Sequence, residues 1–90
     1  MPQSNQTVYV IVSNETPTAV APTLEAAQQA ALAQQTKYQQ PGQFEHRWED
    51  KQQPGEVWRL MQRSTSRGGR FSWTMRSVHA VEMLTGGDES

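Results

Sequence analysis

The sequence predicts one small α+β domain: a four- to five-stranded, mostly antiparallel sheet with a single helix, at about residues 23–38, on one face. Three observations lead there. Residues 7–13 form a β-branched and aromatic run, residues 24–35 are almost entirely strong helix formers, and from Phe44 onward large apolar residues alternate with polar ones between turn signals. The element order reads β-(β)-α-β-β-β. Ninety residues suit one compact domain and fall below the size at which a second core is expected. The expected organisation is a flexible stretch over residues 1–6, the domain over 7–84 and a disordered tail over 85–90.

The first strand, residues 7–13, is apolar on both alternating sets and reads as buried on both faces or nearly so. Asn14 to Thr18 has turn chemistry, with Pro17 fixing φ, and Ala19, Val20 and Ala21 suggest a short returning strand. Thr23 is suited to cap a helix and Glu25 to complement its dipole. Leu24, Ala27, Ala31, Gln35 and Tyr38 recur at helical spacing beside Ala30, and Pro41-Gly42 is the stop signal. Such a stripe of small residues lets the helix lie close to a sheet. The glutamine doublets scattered over helix and loops read as surface filling.

In the third segment Phe44, His46 and Trp48 share a face opposite Glu45, Arg47 and Glu49. Pro54-Gly55 marks the next turn. The fourth segment sets Trp58, Leu60 and Gln62 against Val57, Arg59, Met61 and Arg63, and Gly68-Gly69 serves the following hairpin connection. The fifth sets Phe71, Trp73 and Met75 against Ser72, Thr74 and Arg76, while Val78 and Ala80 fall out of that phase, which suggests a bulge near Ser77. Placing all the large aromatics against the helix makes Trp58 and Trp73 core residues. It leaves Glu45, Arg47, Glu49, Arg59, Arg63, Thr74 and Arg76 on the opposite face.

Composition narrows the function. The absence of cysteine excludes disulfides, thiolate metal sites and a cysteine nucleophile. Residues 1–6 lack the basic start and apolar stretch of a signal peptide, and no apolar run is long enough to span a bilayer, so a cytoplasmic protein without membrane association is expected. The two histidines, His46 and His79, have no metal-ligand spacing, and His46 between two apolar aromatics reads as a packed ring. Glu45 and His46 are strand neighbours that point to opposite faces and cannot share a proton. Serines and threonines stand in no nucleophile-elbow or triad context. No enzyme activity, metal or cofactor is expected. Gly68-Gly69 joins two strands and opens no helix, so it has no phosphate-cradling geometry.

Charge carries the one positive signal. The net charge is −1, yet residues 57–81 hold Arg59, Arg63, Arg67, Arg70 and Arg76 and no acid. Guanidinium groups suit bidentate recognition of carboxylates on an acidic protein partner, which makes these five residues the expected partner-binding set. The same arginines suit nucleic-acid phosphates, the alternative. A pI near 6.1 and the lack of an expected aromatic on the arginine face argue against it. Cross-strand pairing with Glu45 and Glu49 would instead leave a solvated charge ladder. An open sheet face or edge also suits a homodimer. Small size, no catalytic site and lopsided charge are common in accessory proteins of bacteria and of mobile elements.

Overall fold

In the computed structural model, residues 6–84 are described. The elements are β1 (Gln6–Ser13), β2 (Thr16–Ala21), α1 (Leu24–Thr36), β3 (Phe44–Glu49), β4 (Val57–Ser64) and β5 (Ser72–Met83). The five strands form one sheet in the order β2-β1-β5-β4-β3, with every neighbouring pair antiparallel. The expected α+β fold and element order are therefore observed. The expected flexible start and disordered tail fall largely on residues 1–5 and 85–90, outside the described residues.

β2 is longer than the three residues expected, because the turn before it is only Asn14 and Glu15. Both have positive φ, 51° and 70°, as a two-residue hairpin connection requires. Asn accepts this conformation readily, whereas glutamate in the left-handed region costs roughly 1 kcal/mol. Glu15→Gly is accordingly expected to raise the urea midpoint by the equivalent of about 1 kcal/mol. An unchanged midpoint would mean that the glutamate side chain offsets its backbone strain.

Thr23 caps the helix: its Oγ1 accepts from the Ala26 backbone N–H at 3.1 Å. The small-residue stripe performs as predicted over two turns. Ala27 and Ala31 are wholly buried against Ile11 of β1 and Val78 of β5, with Tyr9, Leu24, Trp48 and Trp58 packed around them. The helix stops at Thr36, before the Pro41-Gly42 signal, and Tyr38, expected on the buried stripe, is 89% exposed. The helix packs on β5, β1 and β2, so one face of the sheet stays uncovered. β1 is consequently covered on one side only. Ile11 is fully buried, whereas Val8, Val10 and Val12 on its other face are partly accessible.

The strand whose phase differs from expectation is β5. Ile11 pairs with Val78 and Tyr9 with Ala80, so Val78 and Ala80 face the helix. Met61 pairs with Trp73, which places Trp73 with Arg59 and Met61 on the uncovered face. Trp73 is 38% exposed and Met75 is 42% exposed, so neither is a core residue. The physical reason is volume. A helix that approaches on alanines leaves room for Val78 and Ala80 beneath it, but not for a row of indole and phenyl rings. A one-residue change of phase swaps every side chain of a strand between faces.

The irregularity expected near Ser77 is observed immediately before it, at residues 74–76. Across the β4–β5 ladder, Arg59 pairs with Ser77 and Met61 with Trp73, so Thr74, Met75 and Arg76 all stand opposite the single residue Leu60. Met75 has φ 69°, and its carbonyl accepts from the Asn14 N–H at 3.0 Å. Thr74 Oγ1 donates to the Leu60 carbonyl at 2.9 Å, tying down the bulged strand.

The glutamines are not surface filling throughout. Gln62 Oε1 accepts from the amides of Gln35 and Gln39 and lies 3.1 Å from His46 Nε2, forming a polar layer between the end of α1 and the sheet. This layer continues the helix contact where the alanine stripe ends.

Candidate functional site

The uncovered sheet face has two halves. Val8, Val10, Val12, Val20 and Val81 alternate onto it from β1, β2 and β5. Beside them, β3 and β4 present Glu45, Arg47, Glu49, Val57, Arg59, Met61 and Arg63, joined by Trp73. Val81 at 43% and Trp73 at 38% exposure show that nothing in the described fold covers this surface.

Three arginines in the second half sit over aromatic rings. The Arg59 guanidinium is 4.6 Å from the Trp73 ring centroid, and Arg47 and Arg63 lie 4.4 and 4.6 Å from that of Phe71. Weakly hydrated guanidinium stacks readily on π faces, so these contacts hold long side chains in defined positions. Arg63 also donates to Glu45 at 2.6 Å across the β3–β4 pair, and Arg47 pairs with Glu49. The expected charge ladder is thus present in part. Among the described residues, Arg59, Arg67 and Arg70 pair with no carboxylate.

The five arginines singled out from the sequence are not all brought together. Arg59 and Arg63 share the uncovered face as expected, and Arg67 and Arg70 lie in the loop between β4 and β5. Arg76 does not join them. Its phase follows Val78, so it points to the helix side, where its guanidinium donates to Gln34 Oε1 at 2.5 Å and Gln35 Oε1 at 3.2 Å. Partial burial lowers its pKa from the ordinary arginine value, but an arginine stays charged at physiological pH. The residues missed are Phe71 and Trp73, placed on this face by the phase of β5. Val78 and Ala80, out of phase with them, were the available signal.

The fold subtracts one objection to the alternative partner class, since aromatic rings do lie on the arginine face. Both are, however, already capped by guanidinium groups, which leaves less free π surface for base stacking.

The histidines are hydrogen-bonded within the sheet. His46 meets Gln62, and His79 Nε2 lies 2.9 Å from the Ser77 hydroxyl. Ser77 is the buried polar residue of the uncovered face, at 3% exposure. Among the described residues no carboxylate hydrogen-bonds either ring, and no cluster of three or more His, Asp or Glu side chains has metal-binding geometry. No described helix is long and apolar enough to cross a membrane.

The two large tryptophan replacements should separate sharply. Trp58 packs on the helix-side core. Trp58→Ala is expected to cost about 3 kcal/mol or more, whereas Trp73→Ala, at a half-open site, should cost about 1 kcal/mol. Chemical denaturation of the two variants reads this directly, and equal losses would contradict the face assignment.

No protein-family model matches the chain, and neither does a curated protein or a solved structure.

Proposed function

We propose that this is a non-enzymatic binding protein that engages an acidic protein surface through the uncovered sheet face, centred on the β4–β5 hairpin. The observation that carries this reading is the Arg59–Trp73 stack, whose guanidinium pairs with no carboxylate among the described residues, set between the valines of β1 and β5 and the charged half of the uncovered face. Protein interfaces concentrate binding energy in Trp and Arg anchors surrounded by apolar contacts that exclude water. The helix side of β1 and β5, by contrast, is covered by α1.

A photo-crosslinking phenylalanine analogue at position 61, on the uncovered face, should trap a protein in extracts of the source cells. The same analogue at position 29, on the outer side of the helix, should not. Trp73→Ala and Arg59→Ala should each abolish the position-61 product while leaving thermal unfolding cooperative. Identical products from both positions would sink this reading.

Nucleic acid is the second reading, favoured by the rings on the arginine face and the loop residues Arg67 and Arg70. If it is correct, random single-stranded DNA or RNA binds at low salt, with log affinity falling linearly in log salt. Replacing Arg67 and Arg70 with Ala would then flatten that slope by about one per lost phosphate contact.

A further inference from the structure

The bulge at Met75 opens a hollow of about 340 Å³ in the uncovered face. Val12, Val57, Trp73 and Met75 form its apolar walls, and the nearly buried Ser77, bonded to His79, lies at its base. Arg59 and Glu15 stand on its lining as the charged groups. Three irregular features converge here: the left-handed Met75, the left-handed Glu15 and the hydrogen bond from Asn14 to the Met75 carbonyl. Strained backbone of this kind persists only where surrounding structure holds it, and bulges often re-aim side chains at binding sites.

We propose that this hollow is an anchoring pocket for one apolar side chain of a protein partner, with Arg59 pairing the carboxylate of the acidic residue next to it. The argument is one of complementarity. Val12, Val57, Trp73 and Met75 supply the apolar part of a lining that also holds Gln53, Ser77 and His79. The hollow has ample room for one side chain, and Glu15 disfavours an acidic occupant inside. Arg59 sits over the Trp73 ring and lacks a carboxylate partner among the described residues, so its guanidinium N–H groups are available for an anion. The chemistry selected is an apolar residue adjacent in sequence to an Asp or Glu. This rests on the proposed protein-binding role of the face and names the chemistry it reads.

The test uses the whole chain labelled with ¹⁵N and three probes: acetylated, amidated Leu-Asp, Leu-Lys and Gly-Asp dipeptides. The indole N–H signals of Trp48, Trp58 and Trp73 report location, since only Trp73 lines the hollow. Leu-Asp should shift the Trp73 indole and the Ser77 and His79 amides saturably, with the weak, millimolar affinity of a small ligand. It should bind about threefold or more tightly than Leu-Lys, the range of one partly exposed ion pair. Gly-Asp should not saturate. Arg59→Gln should erase the Asp-over-Lys preference while leaving leucine-dependent shifts, and Val57→Trp should abolish them by filling the hollow. A Trp73 signal that stays still, or moves no more than those of Trp48 and Trp58, overturns the pocket. Equal binding of Leu-Asp and Leu-Lys overturns the role of Arg59. If crosslinking at position 61 succeeds while the dipeptides leave Trp73 unmoved, the pocket falls and the face remains. Dipeptide binding without a crosslinked partner gives the reverse.

Discussion

Val78→Asp is expected to unfold the domain at neutral pH. Val78 is fully buried between Ile11 and the alanines of the helix, with no polar group beside it in that cluster. The guanidinium on that side of β5, Arg76, is already engaged by Gln34 and Gln35, so burial dominates, the folded state holds the new carboxyl neutral, and its pKa rises above the ordinary value near 3.9. Below that pH both folded and unfolded forms carry the proton, and only the smaller cost of a neutral acid is felt. As pH rises the unfolded chain ionises and the folded one does not. Stability then falls by about 1.4 kcal/mol per pH unit until the folded pKa is reached. Net stabilities of small domains start at about 5 kcal/mol. For a chain at that lower end, two or three pH units, about 3–4 kcal/mol, added to the cost of the neutral acid remove most of it. Circular dichroism from pH 3.5 to 7 should show structure at the acid end and loss toward neutrality. A pH-independent midpoint would mean that the side chain escapes the core.

Leu60→Ala should rank with Trp58→Ala among the most damaging simple truncations. Leu60 is wholly buried on β4, opposite Trp48 of β3 and beside the bulge of β5. Removing three heavy atoms from such a site costs the transfer free energy plus that of the cavity, about 2–5 kcal/mol together. The bulge makes the upper part of that range more relevant, because the tied-down Thr74 restrains β5 from collapsing into the gap. Urea denaturation should show a much lower midpoint at nearly unchanged slope. A loss below about 1 kcal/mol would indicate that β4 can shift to refill the space.

Much of this architecture was legible in the chain. The Thr23 cap, the alanine stripe and the alternation of β3 and β4 are local signals, and each produced its element in the expected phase. The partition of β5 was not local. Its two alternating sets are both apolar in part, Phe71, Trp73 and Met75 against Val78 and Ala80, and only the space left beneath the helix chooses between them. Ranking by side-chain size favoured the aromatics, whereas close approach of an alanine-faced helix favoured the smaller set. That single choice moved Trp73 to the candidate site and withdrew Arg76 from it. The pairing of Arg63 with Glu45 and the separation of Arg59 from Glu49, its cross-strand neighbour, depend on rotamers that alternation does not specify.

The strand order β2-β1-β5-β4-β3 also dictates when the molecule can become a domain. The two hairpins, β1–β2 and β3–β4, are local and able to form early, yet neither borders the other. The element that joins them, β5, follows all the others along the chain and must insert between β1 and β4. Until it emerges from the ribosome, both hairpins keep an unpaired inner edge, and an isolated hairpin is at best marginally stable in water. Folding is therefore committed late, through pairings of high sequence separation such as Val8 with Val81, and should be slow for a chain of this length. During that interval the exposed inner edges of β1 and β4 are the segments most open to misassociation, and chaperone capture is expected to act there.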